Sequence, residues 1–463
     1  MNTKMISKLS VVTLTALLSV ASARAAIIAI ADSGTDVKHD ELKTKLWTNK
    51  LELDNAVDND DNGKIGDVHG WNFIDGNNRY YEKKLLGTFP PDVYKFFEVQ
   101  TRMLKGLSTD EDKKWIDKVK GDKEFLAKLN EFGEFVHGTH VAGIASKSVD
   151  AAQIMALKVI GKKTAFLFES AIKLKFGNVF GGDMTPFKDK IVRYGLDYLA
   201  KAQGQSLGPV AEYLDEMHAQ VVNCSFGSST AALKPMIGSL LKIVAKNITE
   251  DQVNEYLVYL MNQMVEVMEH DFVLVSPHTL FVIAAGNDGT NNDVAPTSPA
   301  NVRLDNAITV AATMENQKLA SFSNYGNVHV DIAAPGVGIL STTPGNTHLL
   351  LSGTSQATPA VTNVAGQILD ANPKLSPSEV KRVLMETVDH QAWLEGKVKS
   401  EGTMNGARAV YAAKASTSMS LAAAIAEANA KVAAETVAPA KATFAKSIDE
   451  KNLYVVPLPA LLR

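Results

Sequence analysis

The sequence predicts an α/β fold organised on a parallel β-sheet, and three observations carry the prediction. Short apolar runs flanked by turn residues recur at 27–30, 154–160, 221–223, 280–285, 307–312 and 328–332. Strands buried on both faces of a parallel sheet read this way. Helical patterning fills several of the intervals, at 141–146, 191–202, 211–218 and 377–388, and strands alternating with helices build parallel sheets. The 463 residues are 46% hydrophobic and 21% charged, which supplies a large core and excludes wholesale disorder.

Taken in order, the chain opens with Lys4 and Lys8, an apolar run over 9–21 and the small-x-small triplet Ala23-Arg24-Ala25. The run is too short for a membrane span and has the layout of a secretory signal peptide over 1–25; a buried first helix is the other reading. The signal reading implies a secreted or periplasmic protein, with no membrane span once the signal is removed. The first strand then ends in the polar turn Asp32-Ser33-Gly34. Ser376, just before Pro377, caps a late helix, since proline suits a first helical turn.

Three stretches interrupt this rhythm. Residues 79–134 are dense in both charge signs and helical in pattern over 110–132, residues 162–189 are rich in glycine and lysine, and 233–270 show long amphipathic periodicity. They read as helical insertions on the surface of one domain spanning 26–412. From 413 the composition shifts to Ala, Ser, Thr and Lys, and 413–463 reads as an Ala-rich tail outside the core, helical over 421–435. A net charge of −4 argues against nucleic acid as a partner. The single cysteine, Cys224, excludes an intrachain disulfide and reads as a buried small hydrophobe.

Four segments carry chemistry when weighed together. Asp32 ends the first strand, and His137 opens His137-Gly138-Thr139-His140-Val141-Ala142-Gly143. Asn287 closes Ala284-Ala285-Gly286-Asn287, and Ser355 lies in Ser352-Gly353-Thr354-Ser355-Gln356-Ala357-Thr358-Pro359. A serine hydroxyl is too weak an acid to attack an amide unaided, so an imidazole must take its proton and later return it to the leaving amine. A carboxylate must orient that imidazole, and hydrogen-bond donors must meet the developing oxyanion. His137 and Ser355 each read as opening a helix, where a backbone N–H points outward. The Asn287 amide is a candidate second donor.

The order Asp, His, Asn, Ser and the wording of these segments resemble the subtilisin-like serine peptidases over about 27–412. The resemblance implies a three-layer fold: a parallel sheet of about seven strands with helices on both faces, carrying the helical insertions. It implies roles as well: Asp32 orients, His137 is the acid and base, Ser355 is the nucleophile and Asn287 donates to the oxyanion. His140 is then a packed histidine. Asn223-Cys224-Ser225-Phe226-Gly227 resembles the family strand to which an extended peptide adds. Ser225, Phe226 and Gly227 become substrate-binding candidates, with Ala285 and Gly286 as the opposite pocket wall, left open by their small size.

In the acidic loop 58–67, Asp58, Asp60, Asn62 and Asp67 offer oxygen ligands, with Gly63 allowing a sharp turn. Such a set suits calcium, and many relatives carry a similar loop; a plain acidic loop is the other reading. The loop is no complete EF-hand, because His69 stands where a bidentate glutamate belongs. Gly204-Gln205-Ser206-Leu207-Gly208 matches a nucleophile elbow in letters only. An elbow needs a preceding strand, and this segment reads as a loop between two helices.

The function expected from these readings is a secreted serine endopeptidase that works through a triad and an acyl-enzyme on polypeptide substrates. The alternative is an inactive scaffold of the same fold that binds without turnover. Relatives usually carry an N-terminal pro-segment. Only residues 26–31 separate the expected cleavage site from Asp32, which leaves three readings: the chain folds unaided, a separate folding assistant or inhibitor is a partner, or the 79–134 insertion or the C-terminal tail takes over control.

Overall fold

The apolar runs assemble into one sheet. Its strands are β1 (Ile27–Asp32), β2 (Gly70–Asn72), β3 (Gln153–Lys158), β4 (Val221–Cys224), β5 (Leu280–Ala284), β6 (Ala307–Met314) and β7 (Ile332–Pro335). The computed structural model describes residues 25–147, 153–161 and 182–435. Most of the expected signal peptide, most of the 162–189 insertion and the tail beyond 435 lie outside these residues. The strand order is β7-β6-β5-β4-β1-β3-β2, and every pairing along it is parallel. Two short strands, Asp389–His390 and Gly402–Thr403, extend the β7 edge, the outermost of them antiparallel.

Alternation along β1 shows why both faces are covered. Ile28 and Ile30 join one apolar cluster, while Ile27, Ala29 and Ala31 join another on the opposite side. The first cluster is closed by helices over Thr354–Ala371, Pro377–Glu386 and Gly406–Ala415. The second is closed by the long helix Pro186–Glu216. The expected three-layer arrangement is therefore the observed one. Val328 falls outside β7, which begins four residues later at Ile332.

The insertions are helical, and they carry apolar cores of their own. Helices α1 (Pro91–Leu104), α2 (Asp110–Val119) and α3 (Lys123–Ala145) bury Phe96, Phe97, Ile116, Leu129 and Phe132 in a core of their own. That core also takes in Leu349 and Leu351 of the hairpin Ile339–Thr343/Thr347–Leu351. The 233–270 stretch forms two helices, Thr230–Val244 and Glu250–Met268, which make a third core with Pro186–Glu216.

Two boundaries need correction. Residues 191–218 are not two helices with a loop at 204–208 but one helix, Pro186–Glu216, with Ser206 inside it and its hydroxyl bonded to the Gln203 carbonyl at 2.7 Å. The elbow reading is thereby excluded. The composition break at 413 is not the edge of the core either. Helix Leu421–Lys431 packs on Gly406–Ala415 and buries Ile425 and Ala428 in the sheet cluster, because alanine spacing presents an apolar stripe despite the tail-like composition. Among the described residues no helix is long and apolar enough to cross a membrane.

Candidate active site

Asp32, Asn287 and Ser225 all lie at or just beyond the C-terminal ends of parallel strands, the rim at which open α/β sheets bind ligands. His137 reaches that rim by a route the sequence reading missed. It does not open a helix but sits inside α3, whose apolar positions Phe125, Leu129, Phe132 and Val136 run without a break from the insertion into the motif. Gly138 lets α3 settle on the turn after β1, where any Cβ would collide with the Gly34 carbonyl. His137 Nδ1 then stands 2.7 Å from Asp32 Oδ1. A carboxylate only accepts, so Nδ1 carries the proton and Nε2 is left basic. The same Asp32 oxygen accepts the Ser33 N–H at 2.7 Å, and Asp32 is wholly buried.

Ser355 lies in the first turn of α7 (Thr354–Ala371; the helices Pro186–Glu216, Thr230–Val244 and Glu250–Met268 count as α4 to α6). Its N–H is among the first-turn amides with no partner inside the helix. Asn287 is fixed beside it, because its Oδ1 accepts both the N–H and the hydroxyl of Thr354, each at 2.9 Å. Two donors on one atom settle the amide orientation and turn Nδ2 away from Thr354. A Cβ built on Gly353 would stand 3.2 Å from Asn287 Nδ2 and 3.6 Å from Ser355 N. The nearest atom to that position is Gln356 Oε1 at 2.9 Å, so the two N–H donors of Asn287 and Ser355 lie on one side of Gly353 with an acceptor on the other. Ser355 Oγ donates to the Ser225 carbonyl at 3.3 Å. Among the described residues no hydrogen bond joins it to His137; α3 and α7 nevertheless pack directly on each other.

A model of the Subtilase family matches residues 23–407. The chain belongs to the Subtilase family. Thermitase of Thermoactinomyces vulgaris is 42% identical over 127 residues, 26% of this chain and 43% of that protein. Alkaline elastase YaB of Bacillus sp. (strain YaB) is 43% identical over 108 residues, 23% of this chain and 27% of that protein. The match thus spans less than half the length of these curated relatives. Among solved structures, a cold-adapted subtilisin-like serine proteinase is 18% identical, with 82% of this chain and 86% of that one covered and a TM-score of 0.39. A lanthipeptide protease is 16% identical, with coverage of 83% and 86% and a TM-score of 0.45.

The expected substrate-binding residues are all buried. Ser225, Phe226 and Ala285 are fully buried, Gly227 and Gly286 are buried too, and Phe226 belongs to the core. Asn324 Nδ2 fills the space where a side chain on Gly286 would go. A cavity of about 270 Å³ lies beside Ser33, lined by Glu134, Phe135, Lys158 and Ile160 among others. His140 is packed as expected. Its Nε2 sits 3.1 and 3.0 Å from the carbonyls of Ile339 and Leu349, one on each strand of the hairpin. Burial pushes its pKa down to about 3. Burial, and then the nearby Asp32 charge, raise the Cys224 thiol, which keeps it protonated and inert.

In the acidic loop, Asp58 and Asp60 of the expected set lie together with Glu52 as a group that could hold a metal ion. Glu52, Asp58 and Asp60 each bring an oxygen within 4.8 Å of the others. Asp60 Oδ1 is buried without a partner, an orphaned acceptor that a hard cation satisfies. Asp67 is not in this set, for its oxygens are occupied by Asn49 Nδ2 at 3.0 Å, Asn62 Nδ2 at 3.0 Å and Tyr213 OH at 2.7 Å. Asn62 turns its NH₂ towards Asp60 and Asp67, so it acts as a donor. Glu52 was missed because it precedes the loop by six residues; a tally of carboxylates extended upstream would have found it.

Proposed function

We propose that this subtilase is an exported serine endopeptidase acting on polypeptides through Asp32, His137 and Ser355. The single observation that carries the reading is the Asp32–His137 contact of 2.7 Å at the strand-end rim, with Ser355 and Asn287 held on the adjoining helix start. In the reaction, His137 Nε2 takes the Ser355 hydroxyl proton as Oγ attacks the scissile carbonyl carbon. The tetrahedral oxyanion meets Asn287 Nδ2 and the Ser355 N–H. His137, held by Asp32 as an imidazolium, returns the proton to the amine, which leaves. Water then hydrolyses the acyl-enzyme by the same steps with Nε2 as base. Glu52, Asp58 and Asp60 bind calcium, which ties the loop together as a structural ion. The N-terminal pattern over 1–25 supports export.

A binding scaffold without turnover is the alternative, and the hydrogen bond from Ser355 Oγ to the Ser225 carbonyl favours it. The test is covalent labelling of the calcium-loaded chain with a fluorophosphonate, read by mass spectrometry. Modification of Ser355 is the expected result. A folded, calcium-loaded chain that stays unmodified leaves only the scaffold.

A further inference from the structure

We propose that Asn223 is a positioning residue for Ser355 and acts through Ser225; this rests on the peptidase reading above. Asn223 and Ser225 are alternate residues at the end of β4 and project to one face. Ser355 and Thr362 are seven residues apart on α7, two turns along one face. A closed chain of hydrogen bonds joins the two faces. Thr362 Oγ1 donates to Asn223 Oδ1 at 3.0 Å and also faces the Thr358 carbonyl at 3.1 Å, Asn223 Nδ2 donates to Ser225 Oγ at 2.8 Å, and Ser225 Oγ to the Ser355 carbonyl at 3.1 Å. The return link is Ser355 Oγ to the Ser225 carbonyl at 3.3 Å. Asn223, Ser225 and Thr362 are 0% exposed and Ser355 is 2% exposed, so the chain lies away from bulk solvent.

The direction of the chain is forced from its Ser355 end. A carbonyl only accepts, so the one Ser225 proton goes to it, and Ser225 Oγ must accept from Asn223. The Ser355 carbonyl belongs to the peptide that anchors the nucleophile in its helix turn. Holding that carbonyl holds the backbone that carries both Oγ and the N–H that meets the oxyanion. Ser225 is therefore spent on the nucleophile, and Asn223 decides which way its proton points.

Asn223→Asp assayed at pH 8 replaces the donor with an acceptor. The Ser225 proton then turns to the carboxylate, and the Ser355 carbonyl loses its partner. Ser225→Ala removes the same link directly. The experiment measures the fluorophosphonate labelling rate of Ser355, kcat and KM on a peptide, and thermal melting. It uses the full calcium-loaded chain as wild type, each single variant and the double variant. Each single change is expected to slow labelling and kcat on the order of 10²-fold with KM nearly unchanged, and the double variant to be no slower than Ser225→Ala alone. Wild-type labelling rates in a single variant that merely melts earlier would overturn the inference, as would losses that multiply in the double variant. A wild type that is not labelled overturns the peptidase reading itself, and this proposal with it.

Discussion

Two regions of this subtilase are built from comparable chemistry, carboxylates steering polar groups, and in opposite ways. At the strand-end rim, Asp32 is carried by β1, His137 by α3 and Ser355 by α7, so each side chain inherits its direction from a regular element. In the acidic loop, Glu52, Asp58 and Asp60 are brought together by turns, with Asp58 and Glu52 accepting backbone N–H groups of the loop itself. The rim side chains are carried by regular elements, whereas the loop leaves Asp60 Oδ1 without a partner. If the proposed function holds, regular elements carry the chemistry and turns carry the clasp.

The largest effect that tests this contrast is at the nucleophile. Ser355→Ala is expected to lower kcat on casein or a peptide on the order of 10⁶-fold, the size of loss that removal of a subtilisin nucleophile produces, with the melting temperature unchanged. A variant that keeps substantial turnover would break the assignment of the rim to chemistry. Next come the oxyanion donors. Asn287→Ala removes one donor and is expected to cost about 10²–10³ in kcat. Gly353→Ala would place a methyl beside the same donors and should fall in that range; steady-state kinetics at saturating substrate reads both.

The loop should respond in the opposite currency. Removing calcium with a chelator, or replacing Asp60 by Asn, is expected to lower the melting temperature by about 5 °C. Adding calcium back should restore the wild type and not the variant. Asp67→Asn sharpens the comparison: it should lower stability and yet keep the calcium response, because Asp67 is occupied by Asn49, Asn62 and Tyr213. A lost calcium response in Asp67→Asn would return it to the ligand set.

The smallest effect concerns His140, one turn from His137. Its folded pKa is held near 3, by burial first, against an ordinary value of 6.5. Below about pH 6.5 the unfolded chain takes up a proton that the native ring refuses, so this contribution is fully present above 6.5 and is lost as pH falls towards 3. The slope approaches about 1.4 kcal/mol per pH unit in that window. Denaturant unfolding between pH 7.5 and 5 should show wild type losing stability faster than His140→Gln, which keeps a donor for the hairpin carbonyls without titrating. Parallel curves would refute the sealed, neutral imidazole.

The parallel sheet, the two-faced burial of β1 and the Asp32, His137, Asn287 and Ser355 set were all readable from local pattern. Short continuous apolar runs report burial on both faces, and a motif keeps its chemistry in consecutive letters. What local pattern could not report was closure over distance. The continuity of α3 through His137 depends on a core shared with α1, α2 and the hairpin residues Leu349 and Leu351. The burial of Ser225 to Gly227, the choice of Glu52 over Asp67 and the donor pair beside Gly353 arise only when segments more than a hundred residues apart, or turns of irregular path, meet in three dimensions. Sequence by itself determined which groups this protein brings to its rim. Tertiary structure alone decided which of them face each other, because hydrogen-bond partners and open volume belong to the packed chain and to no single segment of it.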